Sequence, residues 1–174
     1  MVRQAHVNPR TVTLPVVDGK GIRFTRLSTE DGLSQTKVSQ IVQDDQGFMW
    51  FGSQYGLSRY DGYKFKVFKH EPGRTNSLSG VLIYSLFKDR SGSLWIGCDE
   101  FLDKFDPVTE TFTHYRIDTH SGQGETVPVT QISQDHLGML WLSTSRGLYR
   151  FDPSSGCLLY TSSQAPQANF GRTC

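Results

Sequence analysis

Long apolar runs are absent from this chain of 174 residues. Nothing approaches the ~18 consecutive apolar residues that a membrane-spanning helix needs. Charge of one sign is lacking as well. Lys and Arg number 18 against 17 Asp and Glu, a net charge of +1, with no basic block to hold nucleic acid or an anionic membrane. Cysteine is scarce, and Cys98, Cys157 and Cys174 follow neither the spacing of a metal site nor an even-numbered disulfide framework. No segment keeps a helical apolar period over a useful length. Residues 1–20 lack the apolar core of a secretion signal and, taken alone, predict a cytoplasmic chain. There is no Gly-x-Ser-x-Gly elbow and no His-Glu-x-x-His zinc motif. The sequence thus offers no catalytic residue, no metal-ligand set and no cofactor motif.

What is present is turn and strand chemistry, repeated. Glycine at 17 residues and aromatics at 12% favour β-structure over helix. Trp50, Trp95 and Trp141 stand 45 and then 46 residues apart, and a block of 24 residues aligns without gaps around each. The copies run from Val38 to Asp61, from Ile83 to Asp106 and from Val129 to Asp152. Each opens on an aliphatic pair: Val38 and Ile41, Ile83 and Leu86, Val129 and Ile132. Each continues with Asp-x-x-Gly (Asp44 and Gly47, Asp89 and Gly92, Asp135 and Gly138), reaches the Trp three residues later, and closes on an aromatic followed by Asp. Self-similarity at this period predicts a repeat architecture.

The local chemistry of one copy predicts four strands. Asp-x-x-Gly suits a type I turn whose Asp carboxylate accepts local backbone N–H groups and whose Gly takes positive φ, a common three-residue hairpin. The flanking runs, 38–43 and 48–53 in the first copy, are rich in β-branched and aromatic residues. A second turn follows at Gln54-Tyr55-Gly56 and Ser145-Arg146-Gly147; the middle copy has Asp99-Glu100-Phe101, without the Gly, so a different turn is expected there. A third strand and a turn at Asp61, Asp106 and Asp152 lead into a fourth. Four antiparallel strands per repeat describe a propeller blade. The expectation is an all-β, incomplete β-propeller of about three four-stranded antiparallel blades over 21–161. A leading strand at 22–27 resembles the fourth strand of a blade, and poorly ordered segments are expected at 1–20 and 162–174.

Residues that recur in every copy read as scaffold. Trp50, Trp95 and Trp141 are expected to pack between neighbouring blades, and Arg59, Lys104 and Arg150 to pair with carboxylates or lie over aromatic rings. A site is built from what differs between copies and sits on loops held by a rigid frame. Strand direction puts the second turn of each blade and the connections between blades at one end. Tyr55, Arg74, Glu100 and Arg146 are therefore the candidate ligand-binding residues, at the mouth of a central channel. Apolar blade faces left uncovered at either end of the array predict self-association, and two copies would supply six blades.

The string Val-Ser-Gln-Ile-Val-Gln-Asp-Asp-Gln-Gly-Phe-Met-Trp-Phe-Gly at 38–52, with Gly-Leu-Ser-Arg-Tyr-Asp at 56–61, resembles the regulator-propeller repeat of bacterial two-component signalling proteins. So do Leu94-Trp95-Ile96-Gly97 and Leu102-Asp103-Lys104-Phe105-Asp106. The resemblance implies a sensor region on the periplasmic or extracytoplasmic side, joined in its parent to an output domain such as a histidine kinase or diguanylate cyclase. It implies a small-molecule or glycan ligand and no chemistry of its own, and it marks this chain as a fragment of such a sensor. An interaction scaffold is the alternative. A propeller lyase similar to streptogramin lyase comes third, with His70, His114 and His120 as its candidate histidines. A sialidase Asp-box needs Asp two residues before the Gly; that position holds Asp45, Arg90 and His136, so the match fails in two of the three copies.

Overall fold

The computed structural model describes residues 11–14, 22–117 and 127–160. Its strands are β1 (Thr11–Leu14), β2 (Ile22–Thr25), β3 (Val38–Gln43), β4 (Met49–Ser53), β5 (Gly56–Tyr60), β6 (Phe65–Phe68), β7 (Ser85–Lys88), β8 (Leu94–Gly97), β9 (Phe101–Asp106), β10 (Thr111–Arg116), β11 (Val129–Gln134), β12 (Leu140–Thr144), β13 (Gly147–Asp152) and β14 (Cys157–Tyr160). From β3 onward they form three four-stranded antiparallel sheets in which spatial order follows chain order. Each sheet is one copy of the repeat, here blades 1, 2 and 3. First strands meet one another, β7 lying against both β3 and β11. The leading strand is present as β2, and its partner is β1, in register from Thr11 opposite Thr25 to Leu14 opposite Ile22. That partner falls within the segment expected to be poorly ordered; the rest of 1–20, residues 118–126 and the tail 162–174 lie outside the described residues.

The hairpin chemistry explains why the Asp, Gly and Trp keep their spacing. In blade 1 the Asp44 Oδ1 accepts the N–H groups of Gln46 (3.0 Å) and Phe48 (2.9 Å), and the Trp50 indole donates to Oδ2 at 2.7 Å. Blade 2 repeats this with Asp89, bonded to Ser91 N, Ser93 N and the Trp95 indole at 2.8 Å. Blade 3 does so with Asp135, bonded to Leu137 N, Met139 N and the Trp141 indole at 3.0 Å. One carboxylate thus closes the turn and satisfies the only polar atom of an otherwise apolar ring. Gly47, Gly92 and Gly138 have φ of +89°, +85° and +87°, as the turn requires.

Blades dock trailing face to leading face. The trailing face of blade 1, with Trp50, Leu57 and Phe68, packs against Ile83, Leu86, Phe105 and Phe112 of blade 2. The trailing face of blade 2, with Trp95 and Leu102, packs against Val129, Ile132, Leu142 and Phe151 of blade 3. Trp50 and Trp95 are sealed in these seams, edge-on to Phe105 (4.9 Å) and Phe151 (5.6 Å). Backbone bonds stitch the seams, from Ile83 N–H to Ser53 O (3.0 Å) and from Val129 N–H to Cys98 O (3.1 Å). Approach is so close that a Cβ on Gly52 would lie 2.7 Å from Ile83 Cγ2, and one on Gly97 2.4 Å from the Val129 carbonyl oxygen. The third copy carries Ser143 at this position. Trp141 keeps its indole bond but is only half-buried, because no blade follows the third among the described residues.

Two of the three repeated cations lie as the repeat predicts, while the Nε of Arg150 is buried without a hydrogen-bond partner among the described residues. Arg59 pairs with Glu110 at 3.2 Å and lies over the Phe48 and Trp50 rings, and Lys104 lies over Trp95. Cys98 is free and buried; Cys157 is disulfide-bonded, which an odd count of cysteines does not reveal.

Candidate functional site

Each blade has two ends. One carries the Asp turns. The other carries the turns between second and third strands together with the connections between blades. Tyr55, Glu100 and Arg146 occupy one position of that second turn in blades 1, 2 and 3, so a single step around the array changes an aromatic into an anion and then a cation. Tyr55 is 58% exposed. Glu100 pairs with Arg116 at 3.6 Å, and Arg146 is half-buried. Arg74 lies in the connection from β6 to β7 and is occupied locally, paired with Glu71 (3.1 Å) and bonded to Asn76 (3.3 Å). To contact a ligand it would have to leave those partners.

The turn backbone differs as expected. Ser53 Oγ donates to Gly56 O and accepts from Tyr55 N, and Thr144 does the same with Gly147 and Arg146. Blade 2 has Cys98 in place of that hydroxyl. There the Cys98 N–H donates to Phe101 O, and the Glu100 carbonyl accepts the Ile117 N–H instead.

A deviation that spacing alone does not show lies beneath this turn. Position 103 is Asp where the other blades have Ser58 and Tyr149, and its side chain is fully buried. Asp103 Oδ2 accepts the Ser79 N–H at 2.8 Å, and Oδ1 lies 2.7 Å from His114 Nδ1. The other ring nitrogen, Nε2, faces the Thr75 carbonyl oxygen at 3.0 Å. Burial raises the Asp103 carboxyl above its ordinary range, opposed by the Ser79 N–H and by His114. The pair ties the connection between blades 1 and 2 to β9 and β10. In blade 1 the lighter counterpart is Ser34 N–H donating to Ser58 Oγ at 3.2 Å. Comparison of the copies at position 103 carries the signal: a carboxylate breaks a pattern of small or aromatic residues.

This arrangement suits a clamp better than catalysis. Both His114 nitrogens are engaged, so neither is open to a metal ion or to a hydroxyl nucleophile. His114 stands on β10. His70 Nδ1 lies 2.7 Å from the Leu78 carbonyl oxygen, and His120 lies outside the described residues. Burial, followed by the charge of Asp103, pushes the Cys98 thiol far up, which leaves it unreactive. Among the described residues no group of three His, Cys, Asp or Glu is placed to hold a metal ion. The opposite end of the seam between blades 1 and 2 holds a cleft of about 560 Å³ whose lining includes Asp45, Ser91, Lys104, Asp106 and Tyr115.

Comparisons with known proteins agree with this architecture. Residues 32–55 and 77–100 match the family described as two component regulator propeller. A histidine kinase, P4, of Formosa agariphila is 39% identical over 56 residues, which is 32% of this chain and 4% of that protein. The extracellular domain of the hybrid two component system BT3049 from B. thetaiotaomicron superposes with a TM-score of 0.68 at 27% identity, over 79% of this chain and 20% of that one. The extracellular domain of the one component system BT4673 from the same bacterium gives 0.64 at 21% identity, over 88% of this chain and 20% of that one, a likeness of fold. No helix among the described residues is long and apolar enough to cross a membrane.

Proposed function

On the premise that this chain carries two component regulator propeller repeats and shares its fold with extracellular domains of such systems, we propose that it serves as part of a ligand-sensing region outside the cytoplasm, working by binding and not by catalysis. The observation that carries the reading is the division of labour in the blades. The Asp–Gly–Trp hairpin is repeated three times in the same geometry, while the equivalent turns at the other end present Tyr55, Glu100 and Arg146. A frame that holds three chemically different side chains at equivalent positions recognises a ligand through their combination. An aromatic beside hydrogen-bonding charged groups suits a small polar molecule or a glycan. Against catalysis stand the doubly engaged His114 and the buried, protonated Cys98 thiol.

The test uses a panel of neutral and acidic oligosaccharides, read by the melting temperature of the chain. Saturation to about 100 times Kd adds ~2.7 kcal/mol to stability. At least one oligosaccharide is expected to raise Tm, and the Tyr55→Ala, Arg74→Ala, Glu100→Ala, Arg146→Ala quadruple variant to lose that rise. Cleavage of an oligosaccharide, or an undiminished rise in the quadruple variant, contradicts the reading.

A further inference from the structure

In the seam between blades 1 and 2 the repeated cation meets a carboxylate from the next blade. Arg59 lies over the Trp50 ring at 5.6 Å and pairs with Glu110, the last residue of the turn between β9 and β10. Lys66, directly opposite Arg59 on β6, pairs with the same carboxylate. Glu110 does this from a left-handed backbone, φ +53°, which a residue with a Cβ adopts at some cost.

The seam between blades 2 and 3 is built alike, with one side chain fewer. Lys104 lies over Trp95 at 5.3 Å, as Arg59 does over Trp50. Thr113 stands opposite it on β10, in the place of Lys66. The turns from β9 to β10 and from β13 to β14 have the same length and the same start, Asp106-Pro107 and Asp152-Pro153, so Gly156 occupies the position of Glu110. Its φ is +72°, and a Cβ there would lie 3.2 Å from the Tyr115 ring. Glycine supplies no carboxylate, and among the described residues none pairs with Lys104. The two carboxylates at hand are engaged within their own turns. Asp106 accepts from the Val108 N–H and the Thr109 hydroxyl, and Asp152 from the Ser154 N–H and the Ser155 hydroxyl. The cleft of about 560 Å³ at the Asp-turn end reaches Lys104, Thr113 and Tyr115.

We propose that this place in the second seam binds the carboxylate of a ligand, which sits against Lys104 as Glu110 sits against Arg59. Charge sets the class of ligand. Glu110 meets two cations, whereas here one cation and one hydroxyl stand at the equivalent positions, with Asp106 and Asp152 beside them. One negative charge is matched and further ones are repelled. The Tyr115 ring and the Thr113 hydroxyl suit an apolar face and hydroxyl groups next to the carboxylate, as on a sugar acid. The site lies at the end opposite Tyr55, Glu100 and Arg146. It is built between two blades that are in contact, and both β10 and β14 run away from it.

Amide resonances of the isotope-labelled chain, titrated with glucuronate, glucose and acetate, test this. Glucuronate is expected to shift Lys104, Thr113 and Gly156 saturably, and glucose to leave them in place. Acetate binding as tightly assigns the site to simple organic acids, and weaker acetate binding assigns it to sugar acids; both support a carboxylate site. Lys104→Met, which keeps an apolar stem over Trp95, is expected to weaken binding at least about tenfold. Gly156→Glu is expected to abolish it by supplying the carboxylate from within, and circular dichroism checks that both variants keep their fold. The shifts are expected to persist in the Tyr55, Arg74, Glu100 and Arg146 quadruple variant, so failure at that end and failure here are read apart. The absence of saturable shifts at these three residues with either acid overturns the proposal. So do shifts that glucose reproduces or that Lys104→Met leaves unchanged.

Discussion

Among the described residues, blade 2 is covered on both faces, and blades 1 and 3 on one each. Sequence at the repeat positions is nearly the same in all three, yet Leu86 is 6% exposed where Ile41 is 56%, and Leu102 is fully buried where Leu148 is 42% exposed. Identical hairpin chemistry thus yields different burial, set by what lies next door. Within a sheet the backbone is satisfied by its own ladder, and the hairpin carboxylate caps its own turn. Apolar surface is removed from water only where two blades meet, so the seams supply the hydrophobic stabilisation and the sheets supply the shape.

Breaking a seam should therefore cost far more than damaging an open face. Trp95→Ala is expected to destabilise by ~3–5 kcal/mol, and Trp141→Ala, which removes the same ring and the same indole bond, by ~1–2 kcal/mol. Urea denaturation of both variants checks this, and equal losses contradict it. Next in size is the glycine of close approach. Gly97→Ala places a Cβ against the Val129 carbonyl oxygen and is expected to cost ~1–3 kcal/mol, while Ser143→Ala in blade 3 is expected to stay within about 0.5 kcal/mol.

A subtler difference is one of pH. Burial pushes the Asp89 carboxyl up, but the Ser91 hydroxyl, the Trp95 indole and two backbone N–H groups outweigh it and hold it below the ordinary range. Its folded pKa is lowered, so its contribution is present at neutral pH and is lost as pH falls below ~4 through the folded value. Asp103 is the opposite case. Its folded pKa is raised, so the folded state is penalised at neutral pH and relieved as pH falls through that value. Stability measured from pH 7 to pH 4 should show the advantage of Asp103→Asn over the natural chain shrinking on acidification; a constant difference sinks the argument. Smallest is the exposed pair across the first seam, Lys88 with Asp45. Asp45→Asn is expected to change stability by no more than ~1 kcal/mol, and by less at high salt.

The fold was legible because the repeat prints its own strand boundaries. Asp-x-x-Gly marks each first turn, and β3 occupies Val38–Gln43, the run whose β-branched content marked it as a strand. Legible too, though not drawn from it, was the fixed spacing from Asp to Trp: a carboxylate that caps a turn and reaches an indole permits no insertion between them. The clamp at Asp103 and His114 was harder to read. His114 meets its partner only because β10 pairs with β9 in register, Asp103 opposite His114, and Thr75 arrives from a connection with no pattern of its own. The pairing of β1 with β2 had no sequence signal comparable to the repeat. Exposure of Ile41 could be anticipated only by asking which blade comes before it, a question of neighbours and not of residues.

Site-resolved hydrogen exchange on the chain tests most directly whether the seams hold the fold. Slowest exchange is expected in β7, β8 and β9, covered on both sides, with faster exchange in β3 to β6 and β12 to β14. Uniform protection across the three blades, or slower exchange in an outer blade than in blade 2, would contradict it.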